Sequence, residues 1–170
     1  MIIVSIYFIA DTHFGHKNII EYENRPFGNV EEMDKVLIKN WNNTVSEADT
    51  VFMLGDFSFY GKEKTMNICK SLNGKKILVM GNHDEHTPNW YRECGFEEVS
   101  RFPVIYENFW IFSHEPMYVN TNMPYANIFG HIHSNPIYKT VSNQSVCVSV
   151  ERIDYRPVEF SEIKKLIAEC

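Results

Sequence analysis

Short, wholly apolar runs alternate along the chain with polar clusters. Residues 2–10, IIVSIYFIA, are continuously β-branched and aromatic, the pattern of a strand covered on both faces. Residues 50–56, TVFMLGD, and 75–84, KKILVMGNHD, repeat the pattern, each run breaking off at a glycine and then polar residues. Between them the period changes. In NVEEMDKVLIKNW (29–41), Asn29 is placed to cap, Glu32 stands at N3, and Val30, Met33, Leu37 and Trp41 form one apolar stripe. KEKTMNICKSL (62–72) predicts a second helix, stopped by Asn73-Gly74. The order β-α-β-α-β, with helix-length crossovers, predicts a parallel sheet.

Beyond residue 98 the texture changes. EEVSRFPVIYENFWIFSHEP predicts a hairpin turning at Glu107-Asn108, and NIFGHIHS, SVCVSV and VEF predict further short strands before a last helix, SEIKKLIAEC (161–170). An α/β half followed by a β-rich half predicts two packed sheets with helices outside. Residues 17–29 and 115–127 read as irregular segments.

Length and composition narrow the class. The 170 residues suffice for one domain, 1–170, with a sizeable core, and 44% hydrophobic with 22% charged residues is ordinary for a globular protein. A net charge of −6 argues against broad electrostatic binding to long nucleic acid. Cys69, Cys94, Cys147 and Cys170 form no CxxC and match no zinc or disulfide framework, so free thiols and a cytoplasmic location are expected. MIIVSIYFIA lacks a positive n-region and an A-x-A site and is too short to span a bilayer. It is expected to be the first strand, with no membrane segment elsewhere.

The chemistry gathers where the apolar runs end. Five strand exits carry Asp, Asn or His: ADTHFGH gives Asp11, His13 and His16; GDFS gives Asp56; GNHDEH gives Asn82, His83 and Asp84; SHEP gives His114; GHIHS gives His131 and His133. A single His or Asp at a strand end is ordinarily a satisfied packing or turn residue, and His86 is read that way. Five such exits together are not explained by packing, because ligands of open α/β sheets bind beyond the carboxyl ends of the strands. Carboxylate, imidazole and amide donors without thiolate suit Mn²⁺, Fe or Zn²⁺ and disfavour a Cys-type structural zinc site. Asp11 and His13, two apart, point the same way on an extended chain. Gly130 permits a sharp turn before His131 and His133.

The ordered set D-x-H, GD, GNHD, H and GHxH, running from Asp11 to His133, resembles the calcineurin-like metallophosphoesterase superfamily. The resemblance implies a four-layer α/β/β/α sandwich of two mixed sheets and two divalent metal ions (Mn, Fe, Zn or Ni, with Mn favoured). One ion would take Asp11, His13, Asp56 and His133. The other would take Asp56, Asn82, His114 and His131, so that Asp56 bridges. His83 would contact the phosphate and protonate the leaving oxygen, with Asp84 orienting its loop. The family often has an arginine where this chain has Met80.

The implied reaction is hydrolysis of a phosphate ester by a hydroxide bridging the ions. Two dications less Asp11, Asp56 and the hydroxide leave a formal +1 at the centre, and neutral Asn82 preserves it. His16, Lys17 and Arg25, with Tyr22, Tyr118 and Tyr125, are candidates to hold a substrate, expected to be a small phosphorylated or nucleotide molecule and favoured as a phosphodiester. A phosphomonoester, or a non-catalytic metal-binding scaffold of the same fold, is the alternative. GDFSFY lacks the GDxxDRG extension of the protein serine/threonine phosphatases, and the HEXXH of a metallopeptidase is absent.

Overall fold

A computed structural model describes residues 4–120 and 125–170. The start of the first predicted strand and residues 121–124 of the second irregular segment lie outside the described residues. The first sheet contains β1 (Ile6–Ile9), β2 (Thr50–Met53), β3 (Lys75–Val79), β4 (Glu98–Ser100) and β10 (Val158–Glu159), in the order β10-β1-β2-β3-β4. β1 to β4 run parallel, with Phe8 opposite Phe52 and Phe52 opposite Ile77, and β10 is antiparallel to β1. The second sheet has the order β5-β6-β7-β9-β8: β5 (Val104–Tyr106), β6 (Trp110–Phe112), β7 (Ala126–Phe129), β8 (Val141–Ser142) and β9 (Ser145–Cys147). β5 and β6 form the predicted hairpin, with Glu107 and Asn108 both at positive φ, whereas residues 98–100 leave it to extend the first sheet.

The helices follow their local signals. α2 (Val30–Thr44) starts where Asn29 Oδ1 accepts from Glu32 N, and it buries Met33, Leu37 and Trp41. α3 (Lys62–Ser71) ends just before Gly74, whose φ is +82°. Two helices were not foreseen. α1 (Ile19–Tyr22) is a single turn inside the segment read as irregular. α4 (Pro88–Cys94) is capped by Thr87 Oγ1, starts with proline and stops at Gly95.

The α2 and α3 faces meet one side of the first sheet in a core built on Met33, Leu37, Trp41, Phe57 and Leu78. A second core of Phe8, Phe52, Trp110, Phe112 and Ile128 lies between the sheets. α5 (Phe160–Ala168), the predicted last helix, sends Phe160 into this inter-sheet layer, 5.3 Å from Phe8 and 4.9 Å from Trp110 between ring centroids. The expected pair of mixed sheets with flanking helices is thus found. Buried rings tie the sheets together and fix their strand exits relative to each other. Among the described residues, no helix is long and apolar enough to cross a membrane.

Candidate metal centre

The strand exits meet at a seam between the sheets. Past β1, Ala10 forms an isolated bridge with Ser149, just beyond β9 of the other sheet, donating to Val148 O and accepting from Val150 N. The exits of β1 and β2 then run side by side, Asp11 N bonding Gly55 O and His13 N bonding Asp56 O, both at 3.0 Å. The β3 exit is fastened to them by Asp84, whose carboxylate accepts from Asp56 N (2.7 Å), Gly81 N (2.8 Å) and Phe57 N (3.2 Å), while Asp56 Oδ1 accepts from His83 N (2.9 Å). His131 N donates to Asp11 Oδ2 at 2.8 Å, closing the ring from the second sheet.

Close approach, rather than turn geometry, sets Gly81 and Gly130. A Cβ on Gly81 would stand 2.3 Å from Asp56 Oδ1, and one on Gly130 would stand 2.4 Å from Ala10 Cβ and 2.7 Å from Asp11 Oδ2. The turn expected at Gly130 is made instead by the histidines after it. Asp11, His13, Asp56, His131 and His133 all occupy the left-handed region, with φ between 46° and 68°. Non-glycine residues adopt it at a cost of order 1–3 kcal/mol each and cluster there where a site demands it. The expectation that Asp11 and His13 point alike because they lie on extended chain is therefore right in outcome but not in cause.

The donor atoms converge. His114 Nδ1 bonds Leu54 O (2.9 Å), which puts its proton on Nδ1 and leaves a lone pair on Nε2. That Nε2 lies 2.8 Å from Asn82 Oδ1 and 3.1 Å from His131 Nδ1, and His131 Nδ1 is 3.0 Å from the same amide oxygen. Two acceptors face each other at hydrogen-bond distance, an arrangement that a cation relieves. Donors ~2.1 Å from one octahedral ion stand ~3.0 Å apart, the spacing of this triangle. Beside it, Asp11, His13 and His133 offer atoms within 4.8 Å of one another, as do Asp11, Asp56 and His114. Asp56 Oδ2 lies between the two sets, 3.4 Å from His13 Nε2 and 3.6 Å from His114 Nε2. Asp11 Oδ1 and His13 Nε2 are buried without a hydrogen-bond partner. Buried polar atoms are rarely left so. The residues fit a pair of divalent ions.

Electrostatics in the ion-free protein agree. Burial pushes the Asp11 carboxyl up to about 6 and the His13 imidazole down to about 4. Burial also works against ionised Asp56, but the neighbouring His13 and His114 imidazoles and the hydrogen bond from His83 N outweigh it and bring its carboxyl down to about 2. The carboxylate between the two donor sets is thus ionised, and the deepest one carries a penalty that a bound cation would reverse.

Sequence reasoning missed the residues that steady these donors. Glu151 accepts from His133 Nδ1 at 3.1 Å, turning Nε2 toward Asp11, and it is ion-paired to Arg25 at 2.6 Å. Nothing in the local sequence marks a contact across 126 positions. Arg25 itself corrects an expectation. Its side chain is fully buried and donates to Asp11 O and Thr12 O as well as to Glu151, so it braces the β1 exit and does not face a substrate. His16 Nδ1 meets His13 Nδ1 at 3.1 Å. With His13 Nε2 free, His13 Nδ1 is the donor and His16 the acceptor, a partner that holds His13 in one tautomer. Asp84, expected to orient the His83 loop, is almost fully buried and accepts from the backbone of Asp56, Phe57 and Gly81. Lys17 is exposed next to His16; Tyr22 and Tyr118 are exposed; His86 stacks on Trp90 at 4.0 Å. Phe59, unremarked in the sequence, lies among His13, His16 and His83.

The comparisons with known proteins agree with this architecture. An uncharacterized protein of the archaeon Methanocaldococcus jannaschii is 43% identical over 171 aligned positions, covering 95% of this chain and 90% of its own length. The gene 66 protein of Mycobacterium phage L5 is 38% identical over 85 positions, 48% of this chain and 41% of its own. A protein of unknown function from Aquifex aeolicus superposes with a TM-score of 0.77 at 29% identity, over 97% of this chain and all of its own. The nuclease MPE of Pseudomonas putida shares the fold alone, with a TM-score of 0.52 at 21% identity over 75% of this chain and 61% of its own. The calcineurin-like phosphoesterase profile matches residues 4–166, and with the seam and its donors in place, this chain belongs to that family.

Proposed function

We propose that the protein is a dinuclear metal-dependent hydrolase of phosphodiesters, favouring small molecules of nucleotide type, with residues 1–170 acting as one domain. The observation that carries this reading is the position of the ionised Asp56 carboxylate between two sets of inward-facing donors. Asp11, His13, Asp56 and His133 would hold one divalent ion, and Asp56, Asn82, His114 and His131 the other, with Mn²⁺ favoured by the donor types. When bound, the pair supplies Lewis-acid polarisation of the phosphoryl group and lowers the pKa of a water.

The chain's own residues do the rest. Glu151 and His16 hold His133 and His13 in the tautomers that offer Nε2. Asp84 fixes the loop that presents His83, whose ring lies 5.7 Å from that of His13. His83 delivers a proton to the departing oxygen, a contribution worth roughly 10²–10⁴-fold. Three buried thiols and an exposed fourth, all free, suit a reducing, cytoplasmic setting.

The test loads the protein with Mn²⁺, Fe²⁺, Ni²⁺ or Zn²⁺ and compares chromogenic diesters, chromogenic monoesters and 2′,3′-cyclic nucleotides. Diester rates are expected to exceed monoester rates. His83→Ala is expected to keep its metal and lose at least about 100-fold on a poor leaving group, less on an activated one. Equal losses on both would remove His83 as the acid. A metal-loaded protein that cleaves none of these esters would leave only the binding scaffold.

A further inference from the structure

Two clefts of different chemistry flank the centre. On the side of His131 and His133, a space of about 490 Å³ is walled by Glu23, Glu115 and Tyr138. On the side of His83, a smaller one of about 180 Å³ is walled by Phe59, Tyr60, His86, Tyr91 and Glu85. Phe59 is 43% exposed although its sequence neighbour Phe57 is fully buried in the core. Its ring stacks on His16 at 4.0 Å and 18°, and lies 5.3 Å from His83. No core contact accounts for an open phenyl held beside the proposed proton donor.

Apart from the exposed Lys17 beside His16, the nearby cations are engaged elsewhere. Arg25 is bound to Glu151, Arg152 donates to His133 O, Tyr138 O and Asn135 O, and Lys64 Nζ lies 3.5 Å over the ring of Tyr60. Neither cleft is lined by a lysine or arginine. A second phosphate would meet Glu85 on one side and Glu23 and Glu115 on the other. The surroundings select one phosphoryl group and reward a flat, uncharged ring.

We infer that the cleft between Phe59 and Tyr91 is the leaving-group subsite, and that it takes an aromatic group, a nucleobase or an aryl ring, stacked on Phe59. This rests on the reading of His83 as the acid. A cavity of ~150 Å³ admits one benzene ring, so this cleft has room for one ring and little more. In the step it serves, the phosphorus–oxygen bond to the leaving alcohol breaks with its electron pair going to that oxygen. His83 protonates it, and a water oxygen forms the new bond to phosphorus after giving up a proton to solvent. The products are a phosphomonoester and a neutral aromatic alcohol.

The test uses Mn²⁺-loaded protein and two diesters that differ only in the leaving alcohol, benzyl or cyclohexylmethyl, which match in reach and closely in basicity. Wild type is expected to favour benzyl in kcat/KM by roughly 5- to 100-fold, the scale of one stacked ring. Phe59→Leu is expected to bring the ratio toward one, and Phe59→Trp to restore it. A wild-type ratio near one, or a ratio untouched by Phe59→Leu, would overturn the subsite. Saturation-transfer NMR with benzyl alcohol gives a readout free of turnover, with contacts expected from wild type and lost in Phe59→Leu. If neither ester is cleaved while those contacts are seen, the hydrolytic reading fails and the ring site survives. If both esters are cleaved without such contacts, the subsite fails and the hydrolase survives.

Discussion

The buried pair Arg25–Glu151 sets a measurable stake on the seam. Arg25 is fully buried and Glu151 is 5% exposed, with Nη2 to Oε1 at 2.6 Å and Nε to Oε1 at 2.8 Å. Arg25→Met leaves Glu151 as a buried charge facing only His133, and also strips donors from Asp11 O and Thr12 O. Breaking such a pair from one side costs about 3–5 kcal/mol. For a chain of this size that is a fall in Tm of roughly 10 °C. Glu151→Gln strands the guanidinium instead, with a penalty of the same kind. The double variant leaves neither charge unpaired and is expected to be more stable than the sum of the singles by at least ~2 kcal/mol, within the range of coupled neighbours. Urea unfolding of all four proteins at pH 7 in chelator, at equal m-value, reads this directly. Singles costing under ~1 kcal/mol, or singles that add within ~0.5 kcal/mol, would show that the pair does not brace the β1 exit.

Three further outcomes are expected. In chelator, burial raises the folded-state pKa of Asp11 from 3.8 to about 6, so its ionisation opposes folding: the penalty is absent below the unfolded value and fully present above the folded one. The stability of wild type relative to Asp11→Asn should therefore fall by about 2.5 kcal/mol between pH 4 and 7, and a difference that is flat with pH would contradict the burial argument. Gly81→Ala drives a methyl into Asp56 Oδ1 and should weaken Mn²⁺ binding at both positions in calorimetry, whereas Gly61→Ala, which meets open space, should not. His16→Ala removes the acceptor of His13 Nδ1 and should lower metal affinity by about 10- to 100-fold while leaving the far-UV spectrum unchanged; unchanged affinity would free His16 from any tautomer role.

Much of the frame was legible because parallel strands covered on both faces show as unbroken apolar runs, and their ends show as abrupt polar clusters. Phe8, Phe52 and Leu78 announce the first sheet, and Asp11, Asp56 and Asn82 mark its edge. The missed elements had weaker or unread signals. α4 carries Thr87 as cap, Pro88 at its first position and Gly95 at its end, but its seven residues show little periodicity. β4 is three residues long, and only its pairing with β3 separates it from the hairpin. Glu151 and Arg25 were illegible for another reason, since a buried charge pair across two sheets exists only after the sheets dock. Phe59 sits in GDFSFY, where an aromatic residue after a strand reads as more strand. Left-handed backbone at Asp11, His13, Asp56, His131 and His133 has no sequence mark at all, because none is glycine.

The seam divides the donors between the sheets: Asp11, His13, Asp56 and Asn82 follow strands of the first, and His114, His131 and His133 follow strands of the second. During synthesis the ribosome releases the first four long before the last three, and Ser149, which pins the halves together through Ala10, emerges later still. On the proposed assignment, ion capture would be a late milestone of biogenesis. Nascent chains arrested before residue 133 should retain no Mn²⁺ after gel filtration, and full-length chains should carry it.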